Sequence, residues 1–263
     1  MNYIDISLWK LAIASLLMII NIGLSFVFKL ALARKLIIAT IRMVSQLLLV
    51  GLVLEYIFKL DHPIAVIAIA LFMAGMAGAS AVRRTKKRYA QIYFDSLFAI
   101  ISASFFVSAV ANRLLIIEPW YDPQYVIPLL GMILGNSLTG VSLALNSFLN
   151  GLEDKQKQIE GMLALGATRF EAAHKLIQES LSTAMIPSIN AMMVMGIVSL
   201  PGMMTGQILA GAAPSDAVRY QILIMFMIIS ATALASFAVI MLAFRAMFSK
   251  EHRLNLTKLK TQN

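Results

Sequence analysis

In the apolar run "TIRMVSQLLLVG", Arg42, Ser45 and Gln46 fall at i, i+3 and i+4, which sets a guanidinium, a hydroxyl and an amide on one face of a helix. Such a face can meet a passing solute or bond to a neighbouring helix. An ionisable group at membrane depth costs about 2.5–3.5 kcal/mol on insertion scales, so it needs a partner, a watery path or a route to the interface. Arg42 lies near one end of its run, so snorkelling and a place on a transport path both remain open. A second polar set, Asn136 and Thr139, follows the spaced glycines Gly131 and Gly135 in "GMILGNSLTG". Small residues let helices approach, and an asparagine in hydrocarbon seeks an interhelical hydrogen bond, so tight packing and the lining of a path are again both open. The third set is "LPGMMTGQ", with Pro201, Gly202, Met203, Met204, Thr205 and Gln207. Pro201 and Gly202 interrupt a helix, and Gly206 offers a second break. Non-helical backbone at membrane depth survives only where protein or a watery cavity shields it, so a broken helix or re-entrant loop is expected on the outer half of a pathway.

The same inventory argues against other chemistry. There is no cysteine, and His62, His174 and His252 are scattered without a metal-closing spacing. Within the apolar runs the charged candidates are Arg42, Glu55 and Asp95, on different helices or faces, which is a poor basis for a membrane enzyme. The 17 methionines, among them Met192, Met193, Met195, Met203 and Met204, would suit soft Cu(I) better than Fe(II), but ordinary packing is the preferred reading of them. No Gly-Lys dipeptide occurs, so the phosphate loop that would let the chain hydrolyse ATP is missing.

The elements that must position these residues are helices in a membrane. Of 263 residues 60% are apolar and 13% charged, with a mean hydropathy of +0.82. Continuous apolar runs of about 20 residues exclude a β-barrel and give an all-α, polytopic fold of about seven transmembrane helices. These are expected near Leu8–Phe28, Leu36–Phe58, Pro63–Val82, Ile92–Val110, Tyr125–Leu149, Met185–Leu200 and Ile222–Phe244. The start, "MNYIDISLWK", has no basic leader, so the first run reads as a retained span. Basic residues collect on one side: Lys29, Arg34 and Lys35; the "RRTKKR" group; Lys155, Lys157, Arg169 and Lys175; and the tail from Arg245. The other side has Lys10, Lys59, Arg113 and Arg219. The N-terminus is therefore expected outside and the C-terminus in the cytosol, with one transmembrane domain over 1–263 and a basic tail over 245–263. The net charge of +9 is largely topogenic; "RRTKKR" reads as a solvated loop or a contact for membrane lipid, not a nucleic-acid site.

One cytoplasmic connection, about 150–184, is too long for a simple turn. Its "EDKQKQIEGMLALGATRFEAAHKL" mixes helix formers with Gly161 and Gly166. Met162, Leu165, Phe170 and Leu176 could supply apolar knobs, and Gly166-Ala167 removes bulk where another surface approaches, as when a short helix lies in a partner's groove.

Glu160, Gly161 and Gly166 resemble the start of the E-A-A-x-x-x-G coupling loop of ABC-transporter permeases, with Met162 in place of the second alanine. Over nearly the whole chain, "TIRMVSQLLLVGLVLEYIF", "PLLGMILGNSLTG", "MLALGATRFEAA" and "GIVSLPGMMTGQILAGAAPSDAVRYQI" resemble the FetB family of ABC permeases. The resemblance implies ATP-driven export of a metal ion, iron first, across a bacterial plasma (inner) membrane. It implies two permease copies and a separate cytoplasmic ATPase, FetA-like, that carries ATP and Mg, so this chain binds no cofactor of its own. Glu160, Gly161, Leu165, Gly166, Ala167 and Arg169 are then the coupling residues. Plant relatives linked to aluminium tolerance and to UDP-glucose keep a nucleotide sugar or other organic solute as the alternative. An ATPase-independent carrier is the remaining one.

Overall fold

The computed structural model describes residues 7–59, 62–115 and 118–261, and their long elements are all helices. The chain divides into two compact units, Met1–Leu60 and Asp61–Asn263. The first is a hairpin of α1 (Leu8–Val27) and α2 (Ala33–Phe58). Ser7 caps α1, and Ser25 ties the connection by accepting the Leu32 N–H at 3.1 Å. Most described side chains of the hairpin are exposed and apolar, as suits helices that meet lipid.

The second unit holds α3 (Pro63–Arg83), α4 (Ile92–Leu115), α5 (Pro123–Asp154), α6 (Gln156–Ala164), α7 (Arg169–Val194), α8 (Gly202–Leu209) and α9 (Pro214–Met247). Prolines open α3, α5 and α9, where the missing N–H has no helical partner to lose. α5 and α9 form the centre, packed against each other and against α3, α4 and α7. Ala74, Ala81, Ala99, Ala144, Ala235 and Ala243 are buried there beside Leu145, Phe148, Ile240 and Met247. Helices that gain no hydrophobic drive from leaving lipid associate by close contact, which small side chains allow. α5 and α9 cross closely at Gly140, where a Cβ would stand 2.5 Å from Thr232 Cγ2 and 2.9 Å from Ser236 Oγ. Gly135 faces open space, and Gly131 meets only the end of Met73. The expected Gly131/Gly135 pair is therefore not where the helices of this chain approach.

Six helices, α1 to α5 and α9, are long and apolar enough to cross a membrane. The expected sixth run, Met185–Leu200, differs. Its helical part stops at Val194 and is continuous with the charged segment that precedes it, so insert and run share one helix. At about 1.5 Å per residue, the uncharged part of α7 beyond Glu179 reaches about 22 Å, short of the ~30 Å hydrocarbon core. The chain then turns: the Gly196 N–H donates to the Ser199 carbonyl at 2.9 Å, and Val198 to Val194 at 2.9 Å. Pro201 caps the start of α8, so the dipeptide Pro201-Gly202 marks where the chain resumes a helix, while the break itself opens at Val194. Gly206 lies within α8 and breaks nothing; Gly211, at φ +100°, ends that helix.

The basic tail is folded back on the unit. Phe248 bridges to Leu254, Asn255 donates to the Met247 carbonyl at 2.9 Å, and strand β2 (Lys260–Thr261) pairs antiparallel with β1 (Lys87–Arg88) of the "RRTKKR" connection. Gln262 and Asn263 lie outside the described residues.

Candidate functional site

Two features of the second unit carry the expected residues, and α7 joins them. The first is the turn between α6 and α7. Ile159 buries one side of α6, and Met162 and Leu163 pack against the core, which leaves the end of α6 projecting. There the chain reverses through Gly166 at φ +94°: its N–H donates to the Leu163 carbonyl at 3.1 Å and that of Ala167 to Met162 at 3.0 Å. This is a Schellman ending, which needs a left-handed residue in that place. Thr168 then starts α7 with a capping box: its N–H donates to Glu171 Oε2 at 2.7 Å while its Oγ1 accepts the Glu171 N–H at 3.3 Å. Those hydrogen bonds, backbone first, hold the Glu171 carboxyl below its ordinary range.

Leu165 is 91% exposed at the apex, and Glu160, Gly161 and Gly166 are exposed beside it. Glu160 accepts only a helical neighbour's bond, from Gln156 Nε2 at 2.9 Å. Phe170 is half-exposed, its ring edge-on to Phe244. Leu176, expected as a fourth knob, is buried against Gly151 and is no part of the surface. Arg169 points back to the tail: its N–H donates to His252 Nδ1 at 2.9 Å, Nη1 donates to the Ser249 carbonyl at 3.2 Å, and the guanidinium lies 5.7 Å from the Phe244 ring centre. Nothing in the sequence pairs Arg169 with His252, more than eighty positions on.

From this turn α7 runs 26 residues, about 39 Å. Its first half buries Ala172, Ala173, Leu176, Ile177 and Ser180 against α5 and α9, and Lys155 forms an ion pair with Glu179 whose hydrogen bond holds that carboxyl low.

Its far end lines the second feature, a cleft of about 270 Å³ enclosed by α5, α7, α8 and α9. Asn136, Pro201, Gly202 and Met203, expected on a path from sequence, meet here. Sequence reading missed Met132, Ser188, Gln221 and Met225, and weighed Met195 only among the methionines at large; these five complete it with apolar neighbours. Their signal was weak, because they are single polar or thioether groups in separate apolar runs. Among the described residues no charged side chain lines the cleft. Gln221 is 6% exposed, and its Oε1 is buried without a hydrogen-bond partner among the described residues. Asn136 Nδ2 donates back to Met132 O in its own helix at 2.9 Å.

The remaining path candidates lie elsewhere. Thr139 and Thr205 donate to the carbonyls of Gly135 and Pro201, one turn back, and neither lines the cleft. Met204 and Gln207 are on α8 outside the lining, with Gln207 Oε1 buried and unpartnered among the described residues. Arg42 and Gln46 are exposed on α2, in the other unit. Asp95 accepts a 2.7 Å bond from the buried Tyr89 hydroxyl, whose pKa burial and this carboxylate push far up. A larger cavity of about 830 Å³ opens between the start of α3, the end of α4 and the start of α5, with Asn112, Arg113, Glu118 and Trp120 in its wall.

Comparison with known proteins agrees with this architecture. Residues 8–248 match the profile of an uncharacterised protein family, UPF0014. The chain is 36% identical over 260 residues, 99% of each chain, to the "Probable iron export permease protein FetB" of Escherichia coli (strain K12). It is 34% identical to the "UPF0014 membrane protein YjkA" of Bacillus subtilis (strain 168), over 97% of this chain and 98% of that one. It is 30% identical to "Protein ALUMINUM SENSITIVE 3" of Arabidopsis thaliana, over 93% of this chain and 89% of that one. No solved structure matches it. Six membrane-length helices and these bacterial relatives make the chain a multi-pass protein of the bacterial inner membrane.

Proposed function

The chain belongs to the UPF0014 family of membrane proteins, and we propose that it is the membrane-spanning permease subunit of an ATP-driven ABC exporter of metal ions, iron first. Iron comes from the name of the Escherichia coli relative. In this reading a separate cytoplasmic ATPase holds ATP and Mg and grips the α6–α7 turn, and two permease copies form the pathway. The basic residues near the turn and the tail support a cytosolic position for it.

The observation that carries the reading is the continuity of α7, which is gripped by the core along its first half and borders the cleft at its far end. A pull on the turn is carried along one helix as far as Pro187, the interior proline at which α7 meets the cleft. Coupling further requires that the ATPase bind the turn differently in its two nucleotide states.

The test is reconstitution with the ATPase. Leu165→Glu places a charge on the apex without touching a core contact, since Leu165 is 91% exposed. The variant should insert and purify normally, lose co-purification of the ATPase, and lose ATP-driven metal movement at least tenfold. Unaltered co-purification would remove the turn from the docking role.

A second reading, an exporter of a nucleotide sugar or another organic solute, draws on the 830 Å³ cavity, whose size, with Asn112, Arg113, Glu118 and Trp120 in its wall, suits a polar organic solute. The 270 Å³ cleft is below the usual size for such ligands. ATP-dependent movement of UDP-glucose but not iron in the same vesicles decides for it.

A further inference from the structure

We propose that the cleft at the α7–α8 break is a binding site for a soft, low-charge metal ion of the Cu(I) type, held by the thioethers of Met132, Met195, Met203 and Met225 and by the amide carbonyl of Gln221. The inference rests on reading the cleft as part of the transport path of a metal exporter, and it departs from that reading in the cargo, a soft ion in place of iron.

Three observations carry it. The four methionines come from four different elements, α5, the end of α7, α8 and α9, and line one cleft. Met132, Met203 and Met225 also pack against the apolar cluster around Ile133, Ile224 and Ala231, so one side of each meets the core while the cleft lies on the other. All four are only half-buried, whereas Met227 and Met247 are buried as core fillers. Second, Gln221 is 6% exposed with its Oε1 buried and unpartnered among the described residues. Buried acceptors are ordinarily satisfied, so the unpartnered carbonyl of this cleft residue asks for a donor or a cation, which it reaches by turning into the cleft. Third, among the described residues the lining has no charged side chain, and no three His, Asp or Glu side chains come together. A highly charged, strongly hydrated ion would lose its water there with nothing to replace it. A weakly hydrated monovalent ion loses least, and thioether sulfur is a soft ligand that prefers it. Hard trivalent ions are excluded by the same logic, and Fe(II) sits at the weak end of the accepted range.

The experiment is titration calorimetry of the purified permease in detergent, without any ATPase, in chloride-free buffer with Ag(I) as the redox-stable probe. The wild type should bind Ag(I) saturably, and more tightly than Fe(II). Met132→Leu/Met203→Leu, which keeps apolar volume, should weaken Ag(I) at least tenfold, and Met225→Leu alone should weaken it measurably. Met193→Leu, at an exposed methionine outside the lining, should leave binding unchanged and controls for adventitious sulfur contact. Equal binding by wild type and the double variant overturns the proposal, as does no saturable Ag(I) binding by wild type. If the double variant elutes as aggregate, the Met225→Leu result alone decides. Because no ATPase is present, a failure here leaves the Leu165→Glu test of coupling standing, and a failure of coupling leaves this one standing.

Discussion

Gly166 sits at φ +94°, and a Cβ there would meet no neighbouring atom. The demand for glycine is therefore set by the backbone. A left-handed residue with a side chain costs about 1–2 kcal/mol. Gly166→Ala should accordingly loosen the α6–α7 turn by about that much while leaving the cleft intact, and amide exchange at Gly166 and Ala167 should quicken while that of the core of α5 does not. Unchanged exchange at both amides would show that the turn does not depend on the Schellman ending. This also changes how variants of the turn should be read. A bulky residue at Gly166 would disturb docking through strain as well as through size, whereas Leu165 reports on the surface alone. The glycine was visible in the sequence as a gap in bulk before a groove. Its conformational reason was not, because a positive φ depends on where α6 ends.

At the level of elements, the crossing of α5 and α9 is closed by Gly140 against Thr232 and Ser236. Overpacking a tight contact costs about 1–3 kcal/mol. Gly140→Leu should lower the thermal midpoint of the detergent-solubilised protein clearly, and Gly135→Leu, into open space, should change it little. A large loss at Gly135 instead would mark a surface covered by a second copy. Most helix limits were legible because uninterrupted apolar runs leave few alternatives: the runs starting at Leu8, Pro63 and Ile92 begin where their helices do. α7 was not. Its charged first half and apolar second half have different compositions, so a reading by hydropathy divides one rod into an insert and a short span. Only packing of Ala173, Leu176 and Ile177 on the core shows that it is continuous. The cleft was half legible for a related reason. Pro201 and Gly202 announce a break by their own chemistry, while Gln221 and Met225 are ordinary on their helix until the fold brings α9 beside α8.

For the whole molecule, the account stands on transmission from the exposed α6–α7 turn along α7 to a cleft that begins at Pro187, about 27 Å away. The tail reinforces the gripped end, since His252 and Ser249 hold Arg169 while β2 pairs with β1 between α3 and α4. A displacement of the turn therefore moves the α3–α4 connection as well. The chain contains no cysteine, so a single one can report on the cleft without background. The decisive measurement is the rate at which a membrane-impermeant maleimide, added from outside, labels a Met203→Cys variant assembled with its ATPase, with and without ATP turnover. The account predicts that turnover changes the rate several-fold and that adding Leu165→Glu abolishes the change. A rate that ignores turnover, or that still responds when Leu165→Glu is present, would contradict it.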